Sequence, residues 1–323
     1  FTGLFNAPII MQNNWQHNAR NTLKGASRCN DFFQSDQFED QHFPIKIPLE
    51  FANLIDKNNP DDPLLKQVIN AQARLGNSEF SLSPLDDESN APVEGLIHKY
   101  PNRVLLITSR VCAIHCQYCF RQNFDYSGHD AMSNWLAIED YIRSHQSVNE
   151  VILSGGDPLS LSDEKLEKLI KNIENIKHVR LLRIHSRSVV VTPSRITDKL
   201  VKILSKTALK VVLVTHINHE NEISEAFIKN IGNFDNVTLL NQSVLLAGVN
   251  DDSNTLERLS LKLFDVGILP YYLHMLDKVK GAEHFLVSDE YATQLHQNLK
   301  KNLSGYLVPK LVRDENLAAK TWV

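Results

Sequence analysis

The sequence contains few cysteines, no long apolar run and no excess of positive charge. Only four of its 323 residues are cysteine, too few for the disulfide framework of a small secreted protein. No apolar stretch approaches the roughly 20 residues that a membrane-spanning helix needs. The N-terminal residues also lack the basic start and apolar core of a secretory signal peptide. We therefore expect a cytoplasmic protein that makes no contact with a membrane.

The charge of the chain gives no sign of a nucleic-acid partner either. Asp and Glu (38) outnumber Lys and Arg (34), so the formal net charge is −4. The basic residues are scattered and form no stripe, so the electrostatic footprint of a direct nucleic-acid binder is absent from the sequence. A hydrophobic content of 42% is enough for a sizeable core. This composition fits a globular α/β enzyme.

Three of the four cysteines lie close together, at Cys112, Cys116 and Cys119. Their spacing, C-x3-C-x2-C, follows an apolar run over 103–108 and predicts a loop after a β-strand. A structural zinc site commonly has four ligands, and Cys29 is too far upstream to form a second pair. Thiolates also hold iron–sulfur clusters. The spacing alone leaves a cluster loop, a zinc loop and a redox pair open.

Apolar runs alternate with amphipathic helical patterns in the second part of the chain. After the first, the runs recur about every 30 residues, the length of one βαβ unit. Six such strands are too few for a closed eight-stranded barrel, so we predict an α/β fold, an open partial (β/α)6 barrel similar to a TIM barrel. The predicted strands cover 104–108, 150–153, 179–184, 209–214, 237–240 and 268–273, and intervening helices cover 163–176 and 255–264.

The first hundred residues differ in pattern and predict an N-terminal helical extension. Helical spacing covers 15–33, 49–55 and 64–75, and the polar segment 77–90 predicts a linker or wrapping loop. The chain is thus divided into three parts: the extension at 1–98, the barrel at 99–304 and a C-terminal segment at 305–323.

Polar residues follow the predicted strands. Gly155 and Gly156 follow the second strand, where paired glycines let the backbone approach a ligand; a tight βα turn is the alternative interpretation. His216 follows the fourth strand and Gln242 the fifth. Because the carboxyl ends of parallel strands meet at one edge of a sheet, these residues predict a shared ligand site.

Several motifs together carry a family resemblance. Tyr118 directly before the third cysteine is typical of radical S-adenosylmethionine enzymes. The sequence more narrowly resembles the lysine 2,3-aminomutase family, and within it the short bacterial branch that makes β-lysine for modification of elongation factor P. The motifs that carry the resemblance are KYPNRVLLITSRVCAIHCQYCFRQNF, SGGDPL, RIHSR, THINH, LLNQSVLLAGVND, PYYLHMLDKVKGAEHF and SGYLVPKL.

The resemblance implies an isomerase that converts (S)-α-lysine to (R)-β-lysine. Cys112, Cys116 and Cys119 would hold a [4Fe–4S] cluster whose open iron binds S-adenosyl-L-methionine. An electron from a donor such as flavodoxin or ferredoxin would cleave it to a 5′-deoxyadenosyl radical. Pyridoxal 5′-phosphate (PLP) would bind the lysine amino group as an imine and carry the nitrogen from C2 to C3. Elongation factor P and its lysyl ligase would be indirect partners.

The resemblance also implies roles for individual residues. Arg121 would bind the substrate carboxylate, with a surface arginine as the alternative. Asp277 would bind the ε-ammonium of lysine, with a loop carboxylate paired to Lys278 or Lys280 as the alternative. Further cofactor contacts are implied for Lys99, Tyr100, Gly155, Gly156, Asp157, His216 and Gln242.

The lysine that forms the imine with PLP has two candidates. Lys320 matches the family's C-terminal Lys-Thr, but the long-chain enzymes place glycines before that lysine, and here Ala319 precedes it. Lys310 is the rival. Asp314 is the nearest candidate for a second carboxylate at the ε-ammonium, although its offset from Lys320 differs from that in the long-chain enzymes.

Two other functions stay open at this point. One is a 2,3-aminomutase of another amino acid, such as glutamate or arginine, although Asp277 disfavours a substrate with a second carboxylate. The other is a non-catalytic zinc-binding interaction module in which the three cysteines are structural. Whether lysine would be rearranged free or attached to the factor is also open.

Overall fold

A nine-stranded sheet forms the centre of the fold in the computed structural model, which describes residues 15–69, 79–85, 88–124, 130–314 and 320–323. A separate two-stranded sheet lies in the N-terminal part. The strands are β1 (Leu23–Lys24), β2 (Lys46–Ile47), β3 (Leu96–Tyr100), β4 (Arg103–Ser109), β5 (Glu150–Gly155), β6 (Leu181–Ser186), β7 (Lys210–His216), β8 (Val237–Val244), β9 (Leu269–His274), β10 (Lys310–Arg313) and β11 (Thr321–Trp322).

Chain order and sheet order coincide from β3 to β11. Strands β4 to β10 run parallel, and the edge strands β3 and β11 are antiparallel to their neighbours. Within the described residues β3 and β11 do not pair with each other, so the sheet is open. The parallel order brings the carboxyl ends of seven strands to the same edge of the sheet.

Helices connect the parallel strands as the βαβ pattern requires. One helix of at least seven residues follows each of β4 to β9, namely α5, α6, α8, α9, α10 and α11 in the series below. The helices are α1 (Trp15–Arg20), α2 (Gly25–Phe33), α3 (Leu49–Ala52), α4 (Pro63–Lys66), α5 (Trp135–Ser144), α6 (Asp163–Glu174), α7 (Ser188–Val191), α8 (Asp198–Lys206), α9 (Glu225–Ile231), α10 (Ser253–Asp265) and α11 (Asp289–Asn302).

Local sequence explains where these helices start. Five helices, α6 and α8 to α11, each begin after a capping residue. The side chain of that residue accepts a hydrogen bond from a backbone N–H in the first turn of the helix. These caps are Ser162, Thr197, Ser224, Asp252 and Ser288. Apolar residues of the helices and strands then pack into one buried cluster between the layers. No helix in the described ranges is both long enough and apolar enough to span a bilayer.

The predicted open (β/α)6 barrel is confirmed. The six predicted strands coincide with β4 to β9, and the predicted helices with α6 and α10. Strand β10 extends the parallel sheet by a seventh member that the periodicity did not indicate. It has four residues and β11 has two, lengths at which no alternating pattern can be recognised.

The N-terminal extension differs in detail from the prediction. The predicted helix over 15–33 is broken by β1, which pairs with β2, and Gly25 has a φ of 75° that a continuing helix does not allow. Helix α4 ends at Lys66, and most of the remainder of the helix predicted to Leu75 lies outside the described residues, as do 77, 78, 86 and 87 of the predicted linker.

Apolar side chains of the extension are buried together with residues of the barrel. Leu23, Phe51 and Leu64 share one cluster with Ile114 and Val191. Strand β3 spans the predicted boundary at residue 98, and β10 and β11 of the predicted C-terminal segment belong to the main sheet. The three-part division of the chain stays a prediction.

Candidate active site

The carboxyl ends of the strands open into a cavity of about 520 Å³. Thirteen of the fourteen residues predicted for the site line it: Lys99, Tyr100, Cys112, Cys116, Cys119, Arg121, Gly155, Gly156, Asp157, His216, Gln242, Asp277 and Lys320. Lys310 is exposed, with its ammonium 5.9 Å from the ring centre of Tyr271 and 5.3 Å from that of Trp322. The structure thus brings the predicted residues together, while their individual roles stay predictions.

The loop that carries the cysteines follows β4 and rests on the N-terminal extension. The backbone N–H of His115 donates to the Lys46 carbonyl oxygen at 3.0 Å, and that of Gln117 donates to the Gln67 carbonyl oxygen at 2.9 Å. The Lys46 ammonium also donates to the carbonyl oxygen of Cys112 at 2.5 Å. The extension therefore fixes the course of this loop, a role that its sequence did not indicate.

Burial and mutual repulsion make the thiolates of this loop costly without a cation. Burial raises the pKa of Cys112 well above its ordinary value, and the charges of Cys119, Asp157 and Cys116 raise it further. Burial, followed by the charge of Cys116, raises the pKa of Cys119 to about 12. Bound metal offsets this cost, because a coordinating thiol is deprotonated outright. The donor set thus fits a metal centre.

The three thiols of the loop are the candidate donors for a metal centre. Among the described residues, no three His, Cys, Asp or Glu side chains converge on a point that would hold one metal ion. A four-iron cluster binds each thiolate to a different iron and needs no such convergence. Cys112, Cys116 and Cys119 line the same cavity, and three thiolates are a donor set that such a cluster accepts. Cys29, the fourth cysteine, is fully buried in the core of the extension.

The two glycines at the end of β5, Gly155 within the strand and Gly156 directly after it, let the segment before the cysteines pass closely. A Cβ on Gly156 would lie 2.7 Å from the carbonyl oxygen of Val111, and Gly155 has a φ of 114°. The N–H of Gly156 donates to the Ser109 carbonyl oxygen at 2.7 Å, and that of Asp157 to the Val111 carbonyl oxygen at 2.9 Å. These two amides bond within the protein, and the predicted cofactor contact of the turn stays a prediction.

The Asp157 carboxylate is also engaged with the protein. One of its oxygens accepts from the Leu159 N–H at 2.9 Å and the Ser186 hydroxyl at 2.8 Å. The other accepts from the backbone N–H groups of Arg187 and Ser188, both at 2.8 Å. Four hydrogen bonds match the accepting capacity of a carboxylate. Asp157 therefore ties the end of β5 to the end of β6.

Lys320 lies in a polar corner of the cavity. Its ammonium donates to Asp314 Oδ2 at 2.7 Å and lies 3.4 Å from His274 Nε2. Its backbone N–H donates to the Tyr100 hydroxyl at 3.1 Å. The ammonium is also 5.0 Å from the ring centre of Tyr272. Asp314, which the sequence offered only by proximity, thus reaches the cavity beside Lys320.

Arg121 and Asp277 line the same cavity. Arg121 is 9% exposed and donates to the Ser154 hydroxyl at 3.4 Å, so it is not a surface arginine. Lys278, one of the two alternative partners of Asp277, pairs with Glu79 at 2.6 Å. The site therefore holds a buried cation and a carboxylate of the kinds that an amino acid with a cationic side chain requires.

Three histidines of the cavity are neutral near pH 7. Burial is the main cause that lowers the pKa values of His185, His216 and His274 well below the ordinary value, and neighbouring cations lower them further. His185 Nε2 is buried and has no hydrogen-bond partner among the described residues. Sequence reasoning selected only His216. The signal for the other two was their place at a strand end, which structural histidines share.

Comparison with known proteins identifies the family. The family model described as the radical SAM superfamily matches residues 106–238. A protein named L-lysine 2,3-aminomutase from Haemophilus influenzae is 45% identical over 296 residues, which cover 90% of this chain and 88% of that protein. One of the same name from Escherichia coli is 47% identical over 280 residues (84% and 80%), and one from Clostridium subterminale is 36% identical over 318 residues (94% and 75%). The chain belongs to the lysine 2,3-aminomutase family of radical S-adenosylmethionine enzymes.

Proposed function

We propose that this chain is an isomerase that converts (S)-α-lysine to (R)-β-lysine for the modification of elongation factor P. The observation that carries the proposal is the lining of one cavity. It contains three cysteine thiols, the amine of Lys320, the guanidinium of Arg121 and the carboxylates of Asp277 and Asp314. Candidate metal donors and side chains with charges complementary to lysine thus line one cavity.

Enzymes of this family use a [4Fe–4S] cluster, S-adenosyl-L-methionine and PLP. When bound, the cluster and S-adenosyl-L-methionine supply a one-electron route to a carbon radical, and PLP supplies the conjugated ring through which the amino group moves from C2 to C3. The chemistry belongs to these groups, and the protein supplies binding, orientation and electrostatics. We assign Cys112, Cys116 and Cys119 to the cluster.

Lys320 is the amine that would hold PLP, and this requires an uncharged Nζ. Asp314 Oδ2, at 2.7 Å, orients the amine. Burial keeps the pKa of His274 well below its ordinary value, so this ring, 3.4 Å away, adds no second positive charge beside Nζ. Tyr100 holds the backbone of Lys320 in place through its hydroxyl. Lys310, outside this cavity lining, has no such surroundings in the described part of the chain.

The substrate is matched at both of its ends. The planar fork of Arg121 suits the α-carboxylate, and its burial strengthens a charged hydrogen bond there. Asp277 and Asp314 would bind the ε-ammonium. The side-chain carboxylate of glutamate would be repelled by both, so the charges favour lysine. Arginine carries the same charge on a longer side chain. The experiment below decides between lysine and arginine as the substrate.

The elongation factor P role rests on the resemblance of the sequence motifs to the short bacterial branch. This chain is more similar to the Haemophilus and Escherichia proteins, at 45% and 47% identity, than to the Clostridium protein at 36%. We infer that the factor and its lysyl ligase use the β-lysine, and that a flavodoxin or ferredoxin donates the electron. A factor that acts on ribosomes places this role in the cytoplasm.

The test is an anaerobic incubation of reconstituted protein with reductant, S-adenosyl-L-methionine, PLP and isotopically labelled amino acids, followed by separation of α- from β-isomers. We expect β-lysine from L-lysine and no β-isomer from L-glutamate or L-arginine. A β-isomer of either other amino acid without β-lysine would overturn the substrate assignment. Colourless protein that contains zinc and no iron would favour the interaction module.

A second incubation offers the factor already carrying α-lysine in place of free lysine. If free lysine is rearranged with a higher kcat/KM than lysine attached to the factor, the enzyme acts before the ligase. The reverse ratio places it after the ligase.

A further inference from the structure

A buried polar network lies beside Cys116, and sequence reasoning assigned none of its members to the site. We call it the Arg187 network; its members are Arg187, Gln67, Tyr118, Asn218 and Glu222. The guanidinium of Arg187 donates through Nη1 to Cys116 Sγ at 2.8 Å and to the Tyr118 hydroxyl. Through Nη2 it donates to Gln67 Oε1 at 2.7 Å and Glu222 Oε2 at 2.9 Å.

The network holds Arg187 in one orientation. Arg187 is 7% exposed, and Gln67 and Glu222 are fully buried. Asn218 donates to Gln67 Oε1 at 2.9 Å and to the Tyr118 hydroxyl at 2.7 Å. The backbone N–H of Arg187 is fixed separately by the Asp157 carboxylate. The position of the guanidinium is therefore determined from both its backbone and its side chain.

Stability alone does not account for this arrangement. Taking two charges out of water costs several kcal/mol per ion, and a buried ion pair is often no more stable than apolar residues of the same volume. Arg187 Nε is also buried without a hydrogen-bond partner among the described residues. The orientation of the network instead directs a positive charge and an N–H group at the sulfur of Cys116.

We propose that Arg187 is a positioning residue that sets the reduction potential of the iron–sulfur cluster through its hydrogen bond to Cys116 Sγ. The inference rests on the proposed function only in taking Cys116 as a cluster ligand. Hydrogen bonds to the sulfurs and local charge are among the factors that set cluster potentials. Reduction by one electron makes the cluster more negative, and a fixed cation stabilises the reduced form. Arg187 thus raises the potential and eases electron entry from the donor.

The test is a redox titration of the reconstituted protein, monitored by the paramagnetic signal of the reduced cluster, without lysine or PLP. Arg187→Met is combined with Glu222→Gln so that no buried charge is left unpaired. We expect the ratio of reduced to oxidised cluster at a fixed potential to fall at least tenfold, which corresponds to about 59 mV for one electron. An unchanged potential in a variant with full iron content would overturn the proposal.

A matched control removes another buried ion pair. Arg195, 1% exposed, pairs with Asp163 at 2.8 Å and is not among the described residues that line the cavity. Arg195→Met with Asp163→Asn should keep the wild-type potential. An equal shift in this control would assign the effect to general loosening and refute the role of Arg187.

A second variant keeps the proposal testable if the first does not fold. Glu222→Gln alone removes the negative charge that pairs with Arg187 and keeps one of the two accepting oxygens, so we expect the potential to rise. A potential that stays unchanged or falls would contradict electrostatic control by the network. Because the titration needs no substrate, failure of the β-lysine assay and failure of this inference are separate results.

Discussion

Replacing Asp277 with Asn removes one negative charge from the cavity and keeps the size of the side chain. Loss of one partner of a desolvated charge pair costs about 2 to 5 kcal/mol. Asp277 is only partly buried, and Asp314 is a second carboxylate in the same cavity, so the lower end of that range applies. About 2 kcal/mol corresponds to a roughly 30-fold rise in the KM for lysine. The ε-ammonium is remote from C2 and C3, so kcat should change little.

Norleucine, which is lysine without its ε-amino group, isolates this interaction. We expect norleucine to inhibit the wild-type enzyme weakly and to inhibit Asp277→Asn about as well, because no ammonium is present to be recognised. The difference between lysine and norleucine should therefore shrink in the variant. Asp265→Asn, an exposed aspartate at the end of α10, serves as the control. A KM within threefold of wild type, at equal cofactor content, would remove Asp277 from the substrate site.

Three further predictions concern the cofactors and pH. Cys116→Ala should lose iron and the cleavage of S-adenosyl-L-methionine while PLP stays bound, and Cys29→Ala, in the core of the extension, should keep both; cleavage by Cys116→Ala would exclude its ligand role. Lys320→Ala should lose the absorbance band of protein-bound PLP and Lys310→Ala should keep it, and the opposite result would reverse the assignment. Burial depresses the pKa of His185 in the folded protein. As pH falls, this side chain therefore takes up a proton in the unfolded chain at a higher pH than in the folded protein. The free energy of unfolding should thus fall as pH drops below about 6.5. His185→Gln should reduce that slope by at most about 1.4 kcal/mol per pH unit in thermal unfolding of the apoprotein, and an unchanged slope would show that this histidine binds its proton equally in the folded and unfolded states.

The barrel and its mouth could be predicted because the relevant signals are local. Each predicted strand is one apolar run, and parallel strands place their following residues at the same edge of the sheet. Cys112, Gly155, His216 and Gln242 each come after a different predicted strand, and all four line the cavity. Lys320 required the family resemblance, because it follows a segment with no pattern of its own and reaches Tyr100 across 220 residues of sequence.

The contacts around the cysteine loop could not be predicted because they join distant segments through single side chains. Arg187 and Gln67 are 120 residues apart, and neither has neighbours that set it apart from an ordinary polar residue. The RIHSR motif places Arg187 after a strand, but only the fold shows that its side chain turns toward Cys116 rather than toward solvent. Packing geometry, which no sequence period encodes, decides this orientation.

Gln67 connects the extension to the chemistry at three points. Its carbonyl oxygen accepts from the backbone N–H of Gln117 in the cysteine loop at 2.9 Å. Its side-chain oxygen accepts from Arg187 at the end of β6 and from Asn218 after β7. A loop anchored only to β4 would leave the distance between Cys116 and the guanidinium free to vary. Because one buried residue of the extension bonds to the loop and to both strand ends, the extension contributes to fixing that distance and so to the geometry of the candidate active site.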